Sequence, residues 1–193
     1  SPLSIVEQFV RENISVDTII NKYYEDKCTL DKYTLVYAYI AINALYSFLE
    51  KNKLLHEENT TYWSHFDMSK VRNTTALLAF TDIPKANLKH WNMSRVQHME
   101  GMFYKSTFNN DSICGWDVSS CLTFENMFRY CSSLKEITIP SSIETLGSSI
   151  FEGCSSLSSV GLSSGITSLA DSMFNDCISL TSIEIPGTVK TIV

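Results

Sequence analysis

The feature that most constrains this chain is that it repeats itself. Phe66, Trp91 and Trp116 stand 25 residues apart, and the residues after them align as Phe66-Asp67-Met68-Ser69-Lys70-Val71, Trp91-Asn92-Met93-Ser94-Arg95-Val96 and Trp116-Asp117-Val118-Ser119-Ser120-Cys121. Met99 then lies over Phe124, Met102 over Met127 and Phe103 over Phe128, while the diverged first copy has Leu77-Leu78. From Cys131 the period shortens to 23, aligning Cys131 with Cys154 and Cys177, Leu134 with Leu157 and Leu180, and Ile137 with Val160 and Ile183. The two registers are continuous, because Phe103, Phe128, Phe151 and Phe174 each precede by three residues Ser106, Cys131, Cys154 and Cys177. A unit this short cannot bury its apolar side alone. Stacked coils can, by placing equivalent residues in columns along one shared core.

The alternation Leu134-x-x-Ile137-x-Ile139 predicts a short strand with Ile137 and Ile139 inward and Thr138 outward. Pro140 and Pro186 follow such strands, where a missing N–H can end a ladder. Parallel strands stacked coil on coil, at about 4.7–4.9 Å each, would build a sheet about 25 Å long over roughly six coils. Residues 61–193 therefore read as a leucine-rich-repeat-like solenoid, with 25-residue units to about residue 130 and 23-residue units from 131.

Residues 1–60 carry a different period. Ser4-Ile5-Val6-Glu7 matches a capping box, and Ile5, Val6, Phe9 and Val10 follow at helical spacing. Ser15 and Asp17 can cap a second helix, and Thr29 or Asp31 a third that runs to about Lys53 and is apolar around most of its circumference. The expectation is an α+β chain: an all-helical N-terminal cap of about three helices, shielding Phe66, Val71 and Leu77, followed by the solenoid.

Composition removes several functions. A net charge of −6, from 15 Lys and Arg against 21 Asp and Glu, opposes nucleic-acid binding, which calls for a basic stripe. The least polar stretch, residues 34–49, holds Asn43 and three Tyr and is shorter than a bilayer span. The chain opens Ser1-Pro2 with no apolar leader, consistent with a processed product or a piece of a longer chain. At the other end it stops mid-unit, so the array is expected to continue or its open coil to pair end to end with a second chain.

The run Cys-Ser-Ser-Leu-x-x-Ile-x-Ile-Pro-x-x-Ile-x-x-Leu-Gly-x-x-x-Phe from Cys131 to Phe151 resembles the repeat of BspA-like (Treponema-type) leucine-rich-repeat proteins. The Trp-Asp-Val-Ser…Met-Phe units are similar to a companion repeat in those proteins and in mycoplasma surface lipoproteins. The resemblance covers about residues 62–193. It implies a surface or secreted, non-enzymatic protein engaged in adhesion, and it brings no catalytic residues or cofactor.

Conspicuous side chains have plain readings. Cys131, Cys154 and Cys177 share a column with Ser106, and Cys121 shares one with Val71 and Val96; small buried thiols explain them, and no CxxC spacing points to zinc. Cys28, Cys114, His56 and His98 carry no partner signal, and the one-period spacing of His65 and His90 reads as packing before it reads as a metal or pH-sensing pair. Asp67, Asn92 and Asp117, each followed two residues on by Ser69, Ser94 or Ser119, read as turn formers rather than calcium ligands. The Trp91–Trp116 column reads as core. Asn-x-Ser/Thr sites stand at Asn13, Asn59, Asn73, Asn92 and Asn110.

Three classes of function follow: a module binding a protein or glycan on a host or partner surface, a structural or receptor-binding part of a phage, viral or surface assembly, and a helical effector carried on a repeat scaffold. Side-chain direction makes Lys135, Glu136, Thr138, Ser158, Ser159, Thr181, Ser182 and Glu184 the first candidate contact surface. Tyr104, Arg129 and Tyr130, just after the Met-Phe pairs, are the second. No catalytic, cofactor or metal residue is expected.

Overall fold

The computed structural model describes residue 40, residues 68–81 and residues 83–193. The expected helices of residues 1–60, and the calls on Cys28, His56, His65, Phe66 and Asp67, lie outside these, as do the Asn-x-Ser/Thr sites at Asn13 and Asn59. Ile40 itself has helical backbone and is half-buried.

The array winds into coils whose columns form one core. Phe103, Phe128, Phe151 and Phe174 stack in succession, with ring centroids 5.1, 5.7 and 5.7 Å apart and planes within 10° of parallel. Trp91 and Trp116 stack in the same way at 6.3 Å, both buried. Leu78, Met102, Met127, Ile150 and Met173 fill the adjoining space. Burying an aromatic ring in each coil is the dominant favourable term in such a core.

Strands form where the 23-residue units begin. β1 (Glu136–Thr138) pairs in parallel with β2 (Ser159–Gly161), Glu136 opposite Ser159, Ile137 opposite Val160 and Thr138 opposite Gly161. Ile137 and Val160 point inward and their neighbours outward, as the alternation predicts. β3 (Ser168–Leu169) pairs with β4 (Thr191–Ile192) on a second side of the coil. Isolated parallel bridges Asn73–His98, His98–Thr123 and Thr145–Ser168 lie outside these strands.

The expected continuous sheet is corrected here: among the described residues there are two two-stranded sheets and single bridges. In the 25-residue coils hydroxyl side chains replace the backbone rungs. Ser112 Oγ accepts from Leu88 N at 3.1 Å and donates to Ala86 O at 3.3 Å. Ser142 Oγ repeats this between Val118 N and Trp116 O. The last coil is also without its strand. Residues 181–185 keep the sequence pattern but no ladder, and Ile185 is 44% exposed, because no further coil lies over it.

The third side of each coil is a chain of tight turns. Backbone bonds such as Leu77 N to Thr74 O, Ala79 N to Ala76 O and Ser106 N to Phe103 O close them. Their third residues adopt left-handed backbone in two columns: Ala76, Gly101, Asn126, Ser149 and Ser172, and Phe80, Lys105, Tyr130, Gly153 and Asp176. Only two of the ten are glycine, so the stacked bonds between coils (Phe103 N to Met127 O, Phe128 N to Ile150 O) hold a conformation that most of these residues disfavour.

Candidate functional site

The first candidate surface is assembled by β1, β2 and the extended segment after Leu180. All eight of its residues, Lys135, Glu136, Thr138, Ser158, Ser159, Thr181, Ser182 and Glu184, are exposed. The inward column beneath them, Ile137, Val160 and the half-buried Ile183, fixes the direction of their neighbours. Parallel register sets Glu136 beside Ser159 and Thr138 beside Gly161, so small polar groups form a regular row. Ser158 also has an internal role, its hydroxyl donating to Lys135 O at 3.2 Å. Two side chains missed by the sequence reading hold the near edge of β1: Asn109 Oδ1 accepts from Lys135 N at 3.0 Å, and Asp111 Oδ1 from Thr138 N at 2.8 Å. Both stand about one period before the strand, and that spacing was the available signal.

The second candidate does not form an open surface. Tyr104 is fully buried, packed with Ala76 and Ala79 and against Phe80 and Tyr130. Arg129 and Tyr130 are half-buried. Arg129 Nη2 donates to Glu152 Oε1 at 2.9 Å, and its guanidinium lies 5.1 Å from the Tyr130 ring. Desolvation lowers the pKa of Arg129, but the bond to Glu152 and the charges around it outweigh that and raise it, so the cation is firmly held. Arg129 and Glu152 are 23 residues apart, one period, which made this pair legible in principle.

The conspicuous residues take the plain roles expected of them. Asn92 Oδ1 accepts from Ser94 N and Oγ at 3.1 and 2.6 Å, and Asp117 Oδ1 from Ser119 N and Oγ at 3.0 and 2.6 Å. Those bonds, the hydroxyl first, hold the Asp117 carboxyl below its ordinary range. The thiols of Cys131, Cys154 and Cys177 donate to the carbonyls of Phe103, Phe128 and Phe151, one coil back. Burial pushes all three thiols up, and Cys121 likewise. The described cysteines are free. His90 is exposed, and His98 serves as the bridge residue between Asn73 and Thr123. Asn110 Nδ2 donates to the carbonyls of Pro84 and Ala86, which ties that amide into the coil. Among the described residues no group of three His, Cys, Asp or Glu is placed to hold a metal ion, and no helix is long and apolar enough to cross a membrane.

These columns, rungs and turns define a leucine-rich-repeat solenoid. Residues 100–193 match the BspA type leucine rich repeat region in six copies, and the chain thus carries BspA-type leucine-rich repeats. Among solved structures it is similar to the leucine-rich repeat protein of T. pallidum, at 31% identity over 35% of this chain and 31% of that one, with a TM-score of 0.34. A leucine-rich repeat protein of Bacteroides ovatus matches at 31% identity over 35% of this chain and 18% of its own, with a TM-score of 0.34. One from Eubacterium ventriosum matches at 19% over 64% of this chain and 39% of its own, with a TM-score of 0.45. The chain spans less than half the length of each. No curated protein matches it.

Proposed function

We propose that this chain is a non-enzymatic interaction module, of a cell-surface or secreted protein, that binds a protein or glycan ligand through the strand face of its 23-residue coils. The observation that carries the reading is that all eight outward positions of three successive coils are exposed over a rigid, buried column. The side chains of Glu136, Thr138, Ser159, Thr181, Ser182 and Glu184 make no hydrogen bond among the described residues, and so are available to a ligand. BspA-type repeats in proteins implicated in adhesion support the same reading. The test is a binding screen against surface proteins and glycans with Glu136→Lys, Ser159→Arg and Ser182→Arg combined. Retention should be lost while the melting temperature moves by no more than about 2 °C, since exposed substitutions cost about 0.5 kcal/mol or less each. Retained binding would place the contact elsewhere.

A second reading, end-to-end self-association, has its own observation. Ile178 is 80% exposed, Ile192 68% and Val193 80%, leaving the last coil's apolar residues uncovered. Under it the chain dimerises, and Ile183→Lys breaks the dimer. Light scattering over a range of concentrations decides: a strictly monomeric chain rules it out.

A further inference from the structure

The turn side of the array carries an apolar cluster separate from the shared core. Ala76, Ala79 and Tyr104 form it, with Ile40, Phe80 and Tyr130 packed against them. They alternate with Leu77-Leu78 and Met102-Phe103, which belong to the inner core, so they face away from it. An outward tyrosine on a turn is ordinarily wet at its hydroxyl end, yet Tyr104 is fully buried.

Burial on this side declines along the array. In one column Ala76, Gly101 and Asn126 are buried, Ser149 is half-buried and Ser172 exposed. In the neighbouring column Ala79 and Tyr104 are buried, Arg129 is half-buried, Glu152 is buried in its ion pair and Asn175 is exposed. The coils are built alike, with left-handed residues at matching positions, so backbone geometry does not produce the gradient. A cover does, present over the first coils and absent over the last. Ile40 is the described residue seated there.

We infer that the segment carrying Ile40, the uncharged stretch 34–49, lies along the turn side of the first three coils instead of across the open end of the first. Its composition suits the place. It is apolar enough to cover Ala76, Ala79 and Phe80, and its tyrosines and Asn43 can meet a polar rim. That rim is cationic and aromatic: Lys105 Nζ lies 5.8 Å from the Tyr104 ring and 5.4 Å from that of Tyr130. The turn side of the first coils is then already occupied from within, which leaves the strand face and the last two coils to an outside partner.

Two experiments on the full chain test this. With Ile40→p-benzoylphenylalanine, irradiation should give a monomer-mass product cross-linked in peptides holding residues 76–80, 104 or 130, at least tenfold above those holding 172–176. Cross-links to residues 68–72, to a second molecule or to nothing would overturn it. Independently, hydroxyl-radical footprinting of Ile40→Asp should raise oxidation of Tyr104 at least fivefold and leave Trp116 unchanged. A Tyr104 that stays protected, or a Trp116 that rises equally, would overturn it too.

Discussion

Gly147 marks where neighbouring coils come closest, and replacing it with alanine tests the stacking directly. A Cβ built there lies 2.4 Å from Glu125 N, 2.6 Å from Glu125 Cα and 2.7 Å from the Phe124 carbonyl carbon. Non-bonded carbons need about 3.5 Å, so the coils must separate by about 1 Å. All three obstacles are backbone, and no rotamer change relieves them. The bonds just beyond, Asn126 N to Ser148 O at 3.1 Å and Phe128 N to Ile150 O at 2.9 Å, would stretch beyond useful length. Overpacking costs about 1–3 kcal/mol and each lost bond about 1 kcal/mol, giving about 3–4 kcal/mol in all. For a chain of this size that lowers the melting temperature by roughly 6–16 °C. The control is Gly115→Ala, where an added methyl meets nothing within 4 Å and stability should hold or rise slightly. Circular dichroism melts with urea titrations give the answer. A Gly147→Ala chain melting within about 2 °C of its parent would refute the argument, as would equal losses at Gly115.

Further outcomes follow from the same geometry. The carboxyl of Asp117 is held below its ordinary value of 3.8, so its contribution is complete above that value and is lost as pH falls through the lowered one. Asp117→Asn, copying Asn92, should match the parent at pH 7 within about 0.5 kcal/mol and lose less on acid titration below pH 4. Iodoacetamide at pH 8, read by mass spectrometry, should label the exposed Cys114 while the buried thiols of Cys131 and Cys154 stay unmodified until unfolding. Glu152→Ala should cost about 2–3 kcal/mol in urea unfolding by leaving the Arg129 guanidinium poorly paired, and replacing both partners with leucine should cost less than the two single changes summed.

The columns were legible because identity recurs at fixed spacing and the core accepts only apolar groups. Phe103, Phe128, Phe151 and Phe174 stack as their spacing implies, and the Asn92 and Asp117 turns close on the serines two residues on. Exposure of the strand-face residues followed from alternation around Ile137 and Val160. What periodicity could not supply was the kind of rung. A serine at position 112 or 142 reads as a polar surface residue, and only the distance between coils turns its hydroxyl into a backbone bridge. Tyr104 was misjudged for a related reason. Its direction, away from the core, was read correctly, but outward means exposed only where nothing else in the chain packs there, and Ile40 does.

The change of period and the change of rung belong together. A hydroxyl rung places a side chain between two backbones, as Ser112 does between Ala86 O and Leu88 N, and so holds the coil edges further apart than a direct bond. From β1 onward the bond is direct, strands approach at about 4.8 Å, and the column that holds Met99 and Phe124 narrows to Gly147 and then Ala170. The direct ladder is also what makes a regular outward surface. Glu136 stands over Ser159 and Thr138 over Gly161 because parallel pairing admits no other offset once Ile137 and Val160 are both buried. In the 25-residue coils the same edge is taken up by Asn109, Asp111 and Asn110, whose side chains are spent on backbone groups of adjacent coils. A flat row of side chains free to meet a ligand therefore arises in the 23-residue coils, which is where the proposed contact surface lies.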